Sequence, residues 1–151
     1  MNITVYAIEK SKNEAMQSVI KDYLKMTKRF AKLEDKSIFN KQIALAQTKG
    51  DIEAKKSYSK AYEPFLNGFN VALDVLGDEL DSFEFSEIFK QNSNVNFFIG
   101  GAFGFEKEFL KQTQKVISLS RLTYAHKVAK VVLFEQIYRG LCINANHPYH
   151  K

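Results

Sequence analysis

Residues 95–101 read VNFFIGG, an apolar run that ends on a pair of glycines. A short apolar run without charged residues is typical of a strand that is buried on both faces of a sheet. Residues 69–73, FNVAL, have the same character, and residues 3–8, ITVYAI, alternate and contain β-branched side chains. Because strands buried on both faces occur mainly in parallel sheets covered by helices, these runs predict a parallel sheet.

The segments between these runs have the periodicity of helices. With Asn13 and Ser82 as candidate N-caps, apolar residues at helical spacing predict helices over residues 13–30, 51–64, 82–90, 105–113 and 126–144. Further strands are expected within residues 33–40 and 115–120, and residues 41–49 are predicted to form a loop. This alternation predicts the fold class α/β, with a mostly parallel sheet, helices on both faces and a single domain over residues 1–151.

The last predicted helix, residues 126–144, is apolar on more than one side. Its apolar residues are Val128, Val131, Val132, Leu133, Phe134, Ile137, Tyr138 and Leu141. A helix of this kind packs against a partner on each side, and in a small protein the second partner is often another copy of the chain. We therefore expect a homodimer built on this helix, with Val131 and Phe134 at the interface.

The charge of the chain is unevenly distributed. The formal net charge is +5, and residues 1–66 contain 13 Lys and Arg against 8 Asp and Glu, whereas the remaining residues contain 9 of each. A basic half suits a polyanion such as RNA, although a solvated lysine-rich surface has the same composition. Cys142 is the single cysteine, and no signal peptide or membrane-spanning run is evident, so a cytoplasmic protein is expected.

Three loops follow predicted strands and are candidates for a ligand site. They comprise residues 73–77, 100–105 and 118–125. Ligands of parallel α/β folds bind at the carboxyl ends of the strands, and glycines in the second loop allow the backbone to approach a ligand closely. The glycine spacing matches neither the dinucleotide-binding fingerprint nor the phosphate-binding P-loop, so the pattern leaves the ligand open.

The sequence closes on NANHPYHK, which places two of its three histidines within five residues. A chain terminus is usually frayed, and a frayed tail is one interpretation of these residues. Another is a metal site formed by Cys142, His147 and His150, but their spacing matches no common zinc pattern, and no metal is expected. A third is proton transfer by a histidine.

Three segments carry a resemblance to a known family. They are FFIGGAFGF at residues 97–105, ISLSRLTYAHKVAKVVLFEQIYRG at residues 117–140 and NHPYHK at residues 146–151. The chain resembles the RlmH-type ribosomal RNA methyltransferases of the SPOUT superfamily over its whole length. The resemblance implies a C-terminal trefoil knot, the α/β-knot of SPOUT proteins, in a homodimer. It also implies S-adenosylmethionine as cofactor and methyl transfer to N3 of a pseudouridine in large-subunit rRNA, within the ribosome.

The resemblance also assigns residues to the cofactor. Carried over position by position, the expected contacts of S-adenosylmethionine are Leu73, Gly101, Ser120, Arg121, Leu122, Thr123, Tyr124 and Ala125.

The tail is expected to supply the catalytic residues. N3 of pseudouridine is a poor nucleophile until its imide proton is lost or shared, and histidine titrates in the range needed to accept that proton. We expect His150 to be the base, His147 to orient the tail, Tyr149 to bond or stack on the nucleobase and Arg139 to meet phosphate or the anionic base. The alternative is a non-catalytic rRNA-binding protein that uses only the basic half of the chain.

Overall fold

The centre of the fold is a parallel sheet, in a computed structural model that describes residues 1–10 and 14–151. Within these residues the sheet has five strands: β1 (Asn2–Ile8), β2 (Lys32–Ile38), β3 (Phe69–Glu79), β4 (Asn94–Ile99) and β5 (Lys115–Ser118). Their spatial order is β2-β1-β4-β3-β5, and every neighbouring pair is parallel. The parallel sheet predicted from the apolar runs is confirmed.

Helices cover both faces of the sheet, as predicted. They are α1 (Glu14–Thr27), α2 (Lys41–Lys49), α3 (Asp51–Tyr62), α4 (Ser82–Gln91), α5 (Lys107–Lys111) and α6 (His126–Asn144), and a 3₁₀ turn (Glu63–Phe65) follows α3. Helices α1, α4 and α6 pack on one face, and α2, α3 and α5 pack on the other. The candidate cap Asn13 lies outside the described residues.

Alternating side chains of the strands divide the interior into two cores. In β4, Phe97 faces the core under α4 and α6, whereas Phe98 faces the core under α3 and α5. The same strand carries Asn96, which is buried. Its side-chain amide donates to the Asn67 carbonyl oxygen and to Asn70 Oδ1, the latter at 3.1 Å. The polar residue within the apolar run is therefore satisfied by hydrogen bonds, as burial requires.

Two local predictions were wrong. Residues 41–49 form α2 instead of a loop, and the Asn40 side chain caps this helix by accepting from the Ile43 N–H at 2.8 Å. The helix buries only Ile43, so its apolar periodicity is weak. The N-cap of α4 is Asp81 and not Ser82, because Asp81 and Glu84 form a reciprocal capping box.

A buried ion cluster fixes the first half of α6 to the sheet. Lys130 is 2% exposed, and its Nζ lies 2.5 Å from Glu9 Oε1 and 2.6 Å from Asp35 Oδ1. Ser37 Oγ also donates to Glu9 Oε1 at 2.5 Å. Asp35 lies in the middle of β2 and Glu9 directly follows β1, so one lysine links α6 to two neighbouring strands.

Candidate active site

The three predicted loops meet in one cleft at the carboxyl edge of the sheet. The cleft has a volume of about 450 Å³, within the usual range for small-molecule sites. Seven of the eight expected cofactor contacts line it: Leu73, Gly101, Ser120, Leu122, Thr123, Tyr124 and Ala125. Arg121 is exposed and is not among the lining residues. His126 and Ala129 of α6, which lie outside the three predicted loops, complete the wall.

An irregularity in β3 shapes the first loop. The predicted strand ends near residue 73, but β3 continues to Glu79 and pairs with β5 twice. Leu73 and Asp78 both pair with Ile117, so the residues between them leave the ladder as a bulge. The Asp74 side chain accepts from the Leu76 N–H at 2.9 Å and folds this bulge, which directs Leu76 outward at 92% exposure.

The glycine loop packs against a tyrosine of α3. The Gly104 N–H donates to the Gly101 carbonyl oxygen at 3.1 Å, and Gly104 has a φ of +77°, the conformation that favours glycine. A Cβ added at Gly101 would lie 2.6 Å from Cζ of Tyr58, which is fully buried and accepts from Gln47 Nε2 at 2.7 Å. Gly101 is therefore required by its contact with Tyr58. The sequence of the glycine loop did not indicate Tyr58 or Gln47 as neighbours, because these residues lie on α3 and α2, earlier in the chain.

Hydrogen bonds within the third loop order its backbone. Ser118 Oγ donates to the Ser120 carbonyl oxygen at 2.9 Å, and Ser120 Oγ accepts from the Leu122 N–H at 3.0 Å. Such short-range serine bonds stabilise a turn. The loop leads directly into α6, which begins at His126 as predicted. Leu122 is 73% exposed beside the cleft.

The C-terminal tail is docked on α6. The His147 N–H donates to the Cys142 carbonyl oxygen at 2.9 Å, and the Tyr149 O–H donates to Glu135 Oε1 at 3.0 Å. The Tyr149 ring lies edge-on to Tyr138, with ring centroids 4.7 Å apart. These contacts contradict a frayed tail and place its side chains in defined positions.

Two arginines contact the two tail histidines. Arg29 Nη2 lies 3.1 Å from His147 Nε2, and Arg139 Nη1 lies 3.2 Å from His150 Nδ1. Because arginine only donates, each of these ring nitrogens is the acceptor and carries no proton in this arrangement. The His150 ring also meets the Phe83 ring edge-on, with centroids 4.9 Å apart.

Glu135 organises the tail. Its Oε1 accepts from Arg139 Nε at 3.0 Å and Nη2 at 2.5 Å as well as from Tyr149. The hydrogen bond to Glu135 raises the pKa of Arg139. Burial, followed by hydrogen bonds to Tyr23 and Glu135, raises the pKa of Tyr149, so its phenol is a proton donor at neutral pH. One guanidinium, that of Arg139, therefore contacts both Glu135 and the tail residue His150.

Within one chain, the tail and the cleft lie on different sides of α6. Glu135 and Arg139 follow His126 by about two and a half and three and a half turns, so the tail contacts α6 roughly 14–20 Å along its axis from the cleft. At 100° per residue, these two side chains also point away from the side that carries His126 and Ala129. The cleft is lined by none of the four expected catalytic residues, His147, Tyr149, His150 and Arg139.

The apolar surface available to a partner differs from the prediction. Phe134 is 0% exposed and belongs to the core, and Val131 packs against that core. The sequence showed that α6 is apolar on two sides but not that α1 and α4 cover one of them. The apolar side chains that remain exposed around the cleft and α6 are Val75, Leu76, Phe83, Phe103, Leu122 and Val128.

Two features are absent from the described part of the chain, a metal-binding cluster and a membrane-spanning helix. Among residues 1–10 and 14–151, no group of three or more His, Cys, Asp or Glu side chains is arranged to hold a metal ion. None of the described helices combines the length and the apolar character needed to cross a bilayer.

Comparison with known proteins agrees with the resemblance noted in the sequence. Residues 1–150 match the family model described as "Predicted SPOUT methyltransferase". The Ribosomal RNA large subunit methyltransferase H of Campylobacter concisus (strain 13826) is 55% identical over 151 residues, which cover all of both chains. The proteins of that name from Aliarcobacter butzleri (strain RM4018) and Campylobacter jejuni subsp. jejuni serotype O:23/36 (strain 81-176) are 54% and 44% identical, again over the whole of both chains. With a family match over nearly its full length and relatives of this similarity, the chain belongs to the SPOUT methyltransferase family.

Proposed function

We propose that this protein is an S-adenosylmethionine-dependent methyltransferase that modifies N3 of a pseudouridine in large-subunit rRNA. The observation that carries the proposal is the convergence of the three loops into one cleft at the carboxyl edge of the sheet. Family membership supports methyl transfer, and the names of the relatives support rRNA as the substrate. As part of the same proposal, we extend to this chain the C-terminal trefoil knot of the family. We also propose a cytoplasmic location, because the proposed substrate is rRNA.

The cleft has the chemistry that a nucleoside cofactor needs. Apolar residues such as Leu73 and Ile117 line it beside residues of the glycine loop, Ser120 and residues 122–125. Apolar walls with a few oriented polar groups are typical of cofactor sites, and the volume of about 450 Å³ suits a ligand of this size. In the proposal Leu73, Gly101, Ser120 and residues 122–125 hold S-adenosylmethionine, which supplies an electrophilic methyl group.

The tail supplies proton transfer in this proposal. His150 accepts a hydrogen bond from Arg139 at Nδ1, so this nitrogen has a lone pair for a proton. As Arg139 turns toward the negative charge that develops on the nucleobase, His150 takes the N3 proton at Nδ1. Tyr149 donates to a nucleobase oxygen or stacks on the ring, and His147 with its Arg29 contact holds the tail in place.

We further propose that the active site is shared between two protomers of a homodimer. The tail and the cleft face different sides of α6 in one chain, so the tail of one protomer serves the cleft of its partner. The exposed apolar side chains Leu76, Leu122 and Val128 offer the surface for this contact. Water is excluded from the cleft when the partner covers it, which favours methyl transfer over side reactions.

The enzymatic assignment is tested with ribosomes from cells that lack this protein. Incubation with the protein and labelled S-adenosylmethionine is expected to add one methyl group to a pseudouridine of large-subunit rRNA, located by mass mapping. Calorimetric titration of the protein with S-adenosylmethionine is expected to give micromolar binding. Binding to rRNA without cofactor binding or methyl transfer would favour the alternative of a non-catalytic rRNA-binding protein.

Mixed dimers test the shared site. One chain lacks residues 147–151 and keeps its cleft, and the other keeps its tail but carries Ala125→Trp, which fills the cleft. Each variant alone is expected to be inactive. Dimers that contain one of each are expected to regain transfer, up to half of the wild-type rate, because one intact cleft meets one intact tail. Mixed dimers as inactive as the parents would contradict a shared site.

A further inference from the structure

A second concave surface lies between α2 and α3, outside the cleft. This surface, the hairpin groove, has a volume of about 440 Å³. The residues that matter for its chemistry are Gln42 and Lys49 from α2 and Lys56 and Lys60 from α3. The helical period of α3 explains this arrangement. Ala54, Tyr58 and Tyr62 are buried on one side of α3, whereas Lys56 and Lys60 lie on the opposite side.

Three of the four charged residues that line the hairpin groove are lysines. Its acidic residue Glu53 is 3.6 Å from Lys56, a surface pair of little energetic weight. Within the described residues, no carboxylate lies within 4.0 Å of the Nζ atoms of Lys49 and Lys60. Two ammonium groups without a carboxylate within 4.0 Å, the ammonium group of Lys56 and the amide of Gln42 therefore line the same depression. Phosphate groups at regular spacing along a chain match this set of donors.

The position of the groove relates it to the cleft. Tyr58 of α3 is packed against Gly101, a residue of the cleft wall, on the side of α3 that is opposite to Lys56 and Lys60. The groove and the glycine loop are therefore separated by about one helix diameter, roughly 10–12 Å. When one nucleotide of an RNA lies at the cleft, phosphates of neighbouring nucleotides lie within this distance of it. An RNA duplex easily spans the separation between the cleft and the groove.

We propose that the hairpin groove binds the phosphodiester backbone of the substrate RNA next to the modified nucleotide. This inference rests on the proposed function, because it takes rRNA as the substrate. The groove contributes affinity and orientation, and it makes no contact with the reacting atoms. It explains why the excess of basic residues falls in the first 66 residues, although the cleft is built mostly from later ones.

The test compares two triple variants of equal charge change. The first is Lys49→Ala, Lys56→Ala and Lys60→Ala in the groove. The matched control is Lys90→Ala, Lys107→Ala and Lys111→Ala, which removes three lysines from α4 and α5. All six positions are helical, where alanine is the most favourable residue, so both proteins are expected to fold.

Filter binding to large-subunit rRNA over a range of salt concentrations is the primary readout. Loss of two or three phosphate contacts is expected to lower the salt slope of log affinity by about 2–3 for the groove variant and to leave the control near wild type. The KM for ribosomes is expected to rise about tenfold or more in the groove variant, with unchanged S-adenosylmethionine affinity.

Equal salt slopes for the groove variant and the control would overturn the inference. The binding measurement keeps this outcome distinct from a failure of the proposed function. A wild-type protein that binds rRNA through the groove but transfers no methyl group would refute the enzymatic proposal and leave the groove assignment standing.

Discussion

Replacement of Lys130 by methionine is expected to destabilise the protein strongly. The side chain of Lys130 is 2% exposed, and the carboxylates of Glu9 and Asp35 that contact it are each 4% exposed. Methionine keeps most of the volume but leaves two negative charges inside the protein without a cation. Breaking a buried ion pair by removal of one partner costs about 3–5 kcal/mol. This is a large share of the total stability of about 5–15 kcal/mol that is usual for a domain.

The assay is thermal and urea unfolding followed by circular dichroism. A loss of 3–5 kcal/mol corresponds to a decrease of about 6–20 °C in the melting temperature of a domain of this size. The matched control is Lys111→Met, which breaks a pair of similar length, 2.7 Å to Glu108, whose side chains are 70% and 76% exposed. The control is expected to cost less than about 1 kcal/mol, because surface ion pairs contribute little.

Two results would refute this reasoning. The first is a similar loss for Lys130→Met and Lys111→Met, which would show that burial does not decide the energy of the pair. The second comes from the triple variant Glu9→Gln, Asp35→Asn and Lys130→Met, in which the charges are removed together. It is expected to recover much of the stability, since the uncompensated charges are gone. A triple variant as unstable as Lys130→Met would assign the loss to packing.

Three further predictions concern the cleft, the interface and the tail. Gly101→Ala is expected to weaken S-adenosylmethionine binding in calorimetry, because the added Cβ meets the ring of Tyr58. Tyr58→Leu in the same chain is expected to restore part of the affinity. Equal binding by Gly101→Ala and wild type would contradict the contact. Val128→Asp is expected to give monomers in sedimentation with a melting temperature near wild type, whereas an unchanged dimer would place the interface elsewhere. Tyr149→Phe, which loses the bond to Glu135, is expected to lower kcat for ribosomes more than it changes KM, and a selective rise in KM would instead indicate a role in binding alone.

Much of the fold was predictable because its signals are local. Continuous apolar runs predicted strands β3 and β4, an alternating run predicted β1, and the limits of α6 were predicted at the correct residues. The loops of the cleft were predictable for a related reason, since ligands of parallel sheets bind where the strands end. Helix α2 was missed because a helix that buries one residue has almost no apolar period.

The amino-acid sequence by itself determined the α/β class, the loops at the carboxyl edge and the family, because each of these depends on short segments of the chain. Tertiary structure alone decided the strand order, the contact of Gly101 with Tyr58 and the side of α6 that receives the tail. Periodicity reports which sides of a helix are apolar, but what covers each side depends on elements far away in the sequence. That is why Phe134 belongs to the core and Val128 stays exposed, although both lie on the same apolar helix.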